Sequence, residues 1–120
     1  MGDGPHILIA EDEEFIIMLL EDILSDEGYR VTSANRLDEA LNILETERFD
    51  AAILDINLRD APVFPLAGRL RELDVPFAFA TGGGLDAIPA QFQDCPVLSK
   101  PYTAATFIEG VASLVVSAKS

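Results

Sequence analysis

Five polar residues of the types that handle phosphate and divalent cations come at or directly after the ends of short, largely apolar runs. They are three acids, a hydroxyl and an amine: Glu11, Asp12, Asp55, Thr81 and Lys100. In phosphoryl transfer a carboxylate can act as the nucleophile, positive charge neutralises the phosphoryl oxygens, and hydrogen-bond donors orient them. Three carboxylates brought together would repel one another, which favours a hard cation with oxygen ligands such as Mg²⁺. The set therefore predicts Mg²⁺-assisted phosphoryl transfer, provided that the fold gathers the five residues.

The apolar runs have the length and composition of buried parallel strands. Five strands are expected, over His6–Ala10, Tyr29–Ala34, Ala51–Leu54, Phe77–Ala80 and Val97–Ser99. Apolar residues recur at helical spacing in four other stretches, over Glu14–Glu27, Leu37–Arg48, Leu66–Leu73 and Thr103–Ser117. A fifth helix, short or mobile, is expected between Leu85 and Gln93, because Pro89 weakens helix formation there.

Strands that alternate with helices form right-handed βαβ units and a parallel sheet covered on both faces. We therefore expect an α/β, flavodoxin-like fold, a five-stranded parallel sheet of order 2-1-3-4-5 with five helices on its two faces. The carboxyl ends of parallel strands meet at one edge, so the five polar residues should lie together there. A chain of 120 residues has the size of one domain. We expect a single domain over residues 1–120, with no output domain.

The composition excludes several classes of function. A net charge of −13, without a run of Lys or Arg, argues against nucleic-acid binding. The longest apolar run, Phe15–Leu20, is far shorter than the roughly 20 residues that span a bilayer, so no membrane segment is expected. Cys95 is the single cysteine, which excludes an intrachain disulfide, and no signal peptide is evident. We expect a cytoplasmic protein.

The residues Glu11-Asp12, Asp55, Thr81 and Lys100-Pro101 resemble, in order and spacing, the signature of the receiver domains of bacterial two-component response regulators. The resemblance extends over essentially the whole chain. It implies that Asp55 accepts a phosphoryl group from a histidine kinase or phosphotransfer protein. The domain would then signal by protein–protein contact, and the only reactions that it would catalyse are its own phosphoryl transfer and dephosphorylation.

The same resemblance implies a role for each of the other site residues. Asp12 and the phosphoacceptor would bind Mg²⁺ together with the backbone carbonyl of Asn57, and Glu11 would hold a metal-bound water. Thr81 and Lys100 would contact the phosphoryl group, with a cis bond between Lys100 and Pro101 as one possibility. The Asn57 side chain either tunes attack of water on the phosphoryl group or only eases a turn.

A narrower resemblance lies in Pro76–Gly84, which looks like the FATGUY subgroup of receivers, found chiefly in alphaproteobacteria. Its members act as stand-alone regulators in general stress signalling or as receivers attached to histidine kinases. Gly83 and Gly84 stand where that motif carries larger residues. Val97 stands three residues before Lys100, where most receivers have a Tyr or Phe switch, and lack of that aromatic is a feature of the subgroup. Another element should then carry the signal.

The glycines Gly82–Gly84 offer such an element. They predict a mobile loop. Phosphorylation at Asp55 would draw the loop in and order the segment between Leu85 and Gln93.

The first helix carries Phe15, Met18, Leu19 and Asp22 at i, i+3, i+4 and i+7, beside its core stripe. These residues either widen the core or form a surface on which the histidine kinase or phosphotransfer protein docks, and we favour docking. The downstream protein is not indicated by the sequence. His6 and Cys95 lack partners at a motif spacing and are expected to be structural and inert, respectively.

Several alternative functions, within the receiver class and outside it, are open to test. A receiver excised from a hybrid histidine kinase, or a receiver that drains phosphoryl groups, would share every feature above. An aspartate-nucleophile hydrolase of the haloacid-dehalogenase type is less favoured, because its second Asp is replaced by Asn57. A nucleotide-binding module is disfavoured by the acidic loop after the first strand, where phosphate binding needs glycines. A phosphorylation-independent adaptor would have no need of all five site residues.

Overall fold

A computed structural model of the protein describes residues 4–82 and 85–118. Gly83 and Gly84, on which part of the loop prediction rests, lie outside the described residues. The strands are β1 (His6–Ala10), β2 (Arg30–Ala34), β3 (Ala51–Asp55), β4 (Phe77–Thr81) and β5 (Val97–Ser99). They form one parallel sheet of order β2-β1-β3-β4-β5, which confirms the predicted topology.

The burial of each strand follows its place in the sheet. All residues of β1 and β4 are buried, as are the first four of β3, which explains their continuous apolar sequence. The edge strand β2 begins with the exposed Arg30 and is only partly buried up to Ala34. The less apolar composition of β2 thus reflects its edge position, as expected.

The described residues form four α-helices, α1 (Glu14–Asp26), α2 (Leu37–Thr46), α3 (Phe64–Glu72) and α4 (Ala104–Ala118). Residues of α1 and α4 share one apolar cluster with one face of the sheet, and residues of α2 and α3 share another with the opposite face. The α1 helix ends at Asp26, and Gly28, just beyond its C-cap, has a φ of 89°, a backbone conformation that favours glycine. None of the described helices combines the length and apolar character needed to span a bilayer.

The prediction of a fifth helix is wrong. Between β4 and β5 the described chain forms two single-turn 3₁₀ helices, Leu85–Ala87 and Ala90–Phe92, and no α-helix. Pro89 separates them with extended dihedral angles, φ −57° and ψ 151°. Proline removes a helical hydrogen bond and disfavours the helical conformation of the residue before it, so a continuous helix cannot form across this point.

Candidate functional site

Strand register brings the five predicted site residues to one edge of the sheet. Ala10 pairs with Leu54, Asp55 with Ala80, and Thr81 with Ser99. Glu11, Asp12 and Lys100 therefore leave their strands at the same level as Asp55 and Thr81. Thr81 is buried, at 8% exposure, and its carbonyl accepts a hydrogen bond of 3.0 Å from the backbone amide of Lys100.

Three carboxylates converge at this edge. Glu11, Asp12 and Asp55 each contribute an oxygen, and these oxygens lie within 4.8 Å of one another. Glu11 is only 2% exposed, and the two aspartates are partly buried. A hard cation such as Mg²⁺ takes oxygen ligands of this kind, and burial of like charges makes a positive charge favourable. The donor set thus fits a divalent cation.

Lys100 supplies positive charge beside two of the carboxylates. Its Nζ lies 3.3 Å from Oε1 of Glu11 and 3.4 Å from Oδ1 of Asp55. The peptide bond between Lys100 and Pro101 is cis, which confirms the isomer that the family resemblance offered. The ammonium therefore reaches both the candidate nucleophile and the buried glutamate.

The crowding of charges perturbs all three of these groups. Burial, and then repulsion from Asp55, raises the pKa of Glu11 to about 7. Burial also raises the pKa of Asp55, against the opposing attraction of Lys100. For Lys100, burial opposes the charged form, but the attraction of Glu11 and Asp55 outweighs it and the pKa lies above its ordinary value. The site without a cation holds more negative charge than its surroundings readily stabilise.

Backbone amides orient two of the carboxylates. The Ile56 amide donates to Oδ1 of Asp55 at 2.9 Å, and the Glu13 amide donates to Oε2 of Glu11 at 3.1 Å. In Asp55 the same oxygen also faces Lys100. These contacts fix the plane of each carboxylate, which limits the directions from which its second oxygen can react or bind.

Asn57 lies where the loop after β3 folds back on itself. It forms an isolated antiparallel bridge with Pro62. The bridge's hydrogen bonds join Leu58 to Ala61 and Val63 to Ile56. Neither bond uses the carbonyl of Asn57, so the bridge leaves that oxygen available as a ligand. The Asn57 side chain is exposed.

Two residues that organise this edge were missed by the sequence analysis. Arg59 donates from Nε to the backbone carbonyl of Asp12 at 3.2 Å. Asp60 accepts hydrogen bonds from the amides of Leu37 and Asp38, at 2.6 and 3.2 Å, and thereby caps α2 from a distant loop. For the Asp60 cap the sequence holds only an indirect signal: Arg36, at the N-cap position of α2, cannot cap the helix with its side chain, so a cap from elsewhere is needed.

The four residues of the first helix that were predicted to form a docking surface are exposed. Phe15, Met18 and Leu19 are 79%, 62% and 53% exposed, and Asp22 is also exposed. Leu19 also lines an open apolar groove of about 440 Å³. The other residues that line it are Ile16, Leu20, Lys100, Pro101 and Tyr102. The groove connects the exposed face of α1 to the loop that carries Lys100.

His6 and Cys95 lie away from this edge. His6 is buried at the start of β1, where Nδ1 lies 2.9 Å from the Arg48 carbonyl and Nε2 lies 2.7 Å from the Thr32 hydroxyl. Cys95 is partly buried beside Arg71, at 3.0 Å, and burial raises the pKa of its thiol. These surroundings agree with a structural histidine and an unreactive thiol.

Comparison with a family model and with a curated protein relates this chain to response regulators. A family model described as the response regulator receiver domain matches residues 7–111. Response regulator SaeR from Staphylococcus epidermidis is 32% identical over 78 residues, which are 63% of this chain and 34% of SaeR. The chain thus spans about a third of the length of this curated relative.

Two solved structures of SdrG cover nearly the whole chain. The solution structure of SdrG from Sphingomonas melonis Fr1 is 37% identical, with a TM-score of 0.78, over 96% of this chain and 98% of that one. The BeF3-activated conformation of SdrG, from Pseudomonas melonis Fr1, is 40% identical, with the same TM-score, over 96% and 99%.

Proposed function

Because this chain belongs to the response regulator receiver domain family of two-component systems, we propose that Asp55 accepts a phosphoryl group from a histidine kinase or phosphotransfer protein. One observation carries the proposal. The Asp55 carboxylate shares a 4.8 Å cluster with Glu11 and Asp12 and has Lys100 Nζ at 3.4 Å. A nucleophile, a cation site and a positive charge for the phosphoryl oxygens are therefore in one place.

Receiver domains bind Mg²⁺ in their acidic pocket, and the acidic cluster of this chain fits that ion. Asp12, Asp55 and the carbonyl of Asn57 would hold it, with Glu11 acting through a water. Bound there, the ion supplies charge neutralisation for the phosphoryl group. Such sites retain several waters on Mg²⁺, which agrees with the small number of protein ligands proposed.

The remaining chemistry belongs to the side chains of the protein. A carboxylate oxygen of Asp55 attacks phosphorus, the new bond forms an acyl phosphate, and the bond from phosphorus to the donor breaks with its electron pair leaving on the donor. Lys100 stabilises the negative charge that this transfer brings into the pocket. The Thr81 hydroxyl would donate to a phosphoryl oxygen once the group is attached.

The finer assignment is to the FATGUY subgroup, with a role in stress signalling. It is supported by the stretch Pro76–Gly84 and by Val97, which packs partly buried against one of the two core clusters. An aliphatic side chain at this position has no ring to rotate inward. The domain would act in the cytoplasm by contact with a downstream protein, either as a stand-alone regulator or as part of a longer histidine kinase.

The phosphodonor is proposed to dock on Phe15, Met18, Leu19 and Asp22 of α1. Large apolar side chains this exposed commonly mark a protein partner. The α1 helix contains no Lys or Arg, so a donor with an apolar face and a basic rim would complement it.

The test is a mass measurement after incubation with acetyl phosphate. We expect the protein to gain one phosphoryl group only when Mg²⁺ is present, and to lose it on treatment with hydroxylamine, which cleaves acyl phosphates. Sustained release of phosphate over many turnovers would instead support the hydrolase alternative. No gain in mass at saturating Mg²⁺ would reject the proposal.

A further inference from the structure

The side chain of Arg59 joins two loops at the edge of the sheet that carries the acidic cluster. Arg59 belongs to the loop between β3 and α3, four residues after Asp55. Its Nε donates to the backbone carbonyl of Asp12 at 3.2 Å, and its Nη2 lies 3.5 Å from the Glu14 carboxylate. Its backbone amide donates to the carbonyl of Asn35 at 3.1 Å. Arg59, which lies in the loop after β3, therefore also contacts the loops that follow β1 and β2.

Asp12 needs such support because it lies in neither a strand nor a helix. It stands between the end of β1 at Ala10 and the start of α1 at Glu14. The α1 helix has no side-chain cap at Glu13. The two neighbours of Asp12 are held by other hydrogen bonds: the Glu11 amide donates to the Ala34 carbonyl, and the Glu13 amide donates to the Glu11 carboxylate. Arg59 acts on Asp12 itself.

We infer that Arg59 is a positioning residue, which holds the Asp12 carboxylate at the correct separation from Asp55 and so raises the affinity of the site for a divalent cation. The inference rests on the proposed function, since it concerns the cation that phosphoryl transfer requires. The ion pair with Glu14 is solvent-exposed, with side chains 49% and 70% exposed, and such pairs contribute little. The hydrogen bond to the Asp12 carbonyl is the contact that matters.

Charge and geometry predict opposite effects when Arg59 is removed. A guanidinium near the pocket repels a cation, so loss of its charge alone would strengthen Mg²⁺ binding. Loss of the hydrogen bond would loosen the Asp12 loop and weaken binding. The sign of the change in affinity therefore separates a positioning role from a purely electrostatic one.

The experiment compares Arg59→Met with Arg69→Met by calorimetric titration of Mg²⁺. Arg69 is a matched control, because its side chain is 41% exposed, close to the 49% of Arg59, and pairs with Glu72 on α3. For Arg59→Met we expect the Kd for Mg²⁺ to rise about three-fold, the net of a lost hydrogen bond and a lost positive charge. Arg69→Met should leave the Kd unchanged. At saturating Mg²⁺ the rate of labelling by acetyl phosphate should return to the wild-type value.

A second readout does not depend on the cation. In the metal-free protein, amide hydrogen exchange of Glu13 should be faster in Arg59→Met than in the control, with an unchanged melting temperature. An equal or lower Kd in Arg59→Met, or unchanged exchange at Glu13, would overturn the positioning role. If the wild-type protein itself bound no Mg²⁺, the proposed function would fail instead, so the two failures are distinguishable.

Discussion

The Nζ of Lys100 lies 3.3 Å from Oε1 of Glu11, across 89 positions of the sequence. The same nitrogen lies 3.4 Å from Asp55. The contact joins the loop after the first strand to the loop after the last, on both sides of the central β3. It also means that Lys100 offsets part of the charge of the buried Glu11, although burial and repulsion from Asp55 outweigh this attraction and raise the pKa of Glu11.

Replacing Asp55 by Asn should abolish stable phosphorylation while leaving the fold intact. The amide keeps the volume of the side chain and can still accept the hydrogen bond from Ile56, but it lacks the nucleophilic oxygen and the charge that attracts the cation. Intact-mass measurement after incubation with acetyl phosphate and Mg²⁺ checks this, with Asp26→Asn on the exposed end of α1 as the control. Labelling of Asp55→Asn at a rate comparable with wild type would show that another residue is the phosphoacceptor.

Asp12→Ala should weaken Mg²⁺ binding several times more than Glu11→Ala. The reason is that Asp12 is proposed to touch the ion directly, whereas Glu11 is proposed to act through a water and already faces Lys100. Titration of both variants with Mg²⁺ by calorimetry gives the two affinities. Equal losses would refute this division of roles between the neighbouring acids.

The metal-free protein should lose stability as the pH rises from about 4.5 to about 7. Glu11 has a folded-state pKa of about 7 against an ordinary value of 4.5, so in this window the folded state binds more protons than the unfolded state, and the free energy of unfolding falls with increasing pH. The raised pKa of Asp55 acts in the same direction. Chemical denaturation at a series of pH values measures the slope.

Glu11→Gln should flatten that slope, because the amide removes the titrating group, and saturating Mg²⁺ should reverse it in the wild type by binding the deprotonated form. Glu109→Gln, an exposed change on α4, is the matched control and should keep the wild-type slope. A slope that is the same in Glu11→Gln and wild type would show that the burial of Glu11 does not govern the pH dependence.

Several features of this site and fold could be read from the sequence because local and global signals agree. The strands at the centre of the sheet are buried on both faces, so β1 and β3 are continuous apolar runs, and the polar residue at each strand end marks the functional edge. Gly28 is a second local signal, since a glycine just after a helix is typical of a C-terminus where the backbone takes a positive φ.

Other features depend on tertiary contacts that leave no periodic signal. Ile17 is buried at 8% exposure whereas Ile16 is only partly buried. The sequence does not distinguish these two adjacent aliphatic residues, because the exact rotation of α1 is set by packing. Arg59 and Asp60 are exposed loop residues whose partners are 47 and 23 positions away. Only the folded chain brings them to their partners.

Phe15→Ala should slow phosphotransfer from the histidine kinase or phosphotransfer protein by about ten-fold or more, because a central exposed aromatic is a common energetic centre of an interface. Labelling by acetyl phosphate, which needs no docking, should be unchanged. The stability should change by less than about 0.5 kcal/mol, since Phe15 is 79% exposed. Val116→Ala, at an exposed position of α4, controls for loss of apolar surface. A parallel loss with both donors would place the defect in the site and not in docking.

The segment between β4 and β5 should carry the signal of phosphorylation, because position 97 has a valine and not the aromatic switch residue of most receivers. Two buried side chains, Ile88 and Phe92 at 2% and 3% exposure, anchor this segment. Phe92 lies 5.9 Å from Phe79, ring centre to ring centre, and Phe79 is two residues before Thr81. Movement of Thr81 toward a phosphoryl group would therefore be transmitted through β4 to the anchored segment.

Arg71 of α3 holds the other side of that segment, so it provides the test. Its Nη1 donates to the Gln91 carbonyl at 2.9 Å, and its guanidinium lies 5.0 Å from the centre of the Phe92 ring. We expect beryllofluoride, which stands in for the phosphoryl group on Asp55, to slow amide exchange of Phe92 and Cys95 relative to Mg²⁺ alone. Arg71→Met should speed exchange of both amides in the Mg²⁺ state without changing Mg²⁺ affinity, whereas Arg69→Met should do neither. Equal exchange with and without beryllofluoride would reject an ordering signal, and a normal response in Arg71→Met would show that the segment is held in place without this arginine.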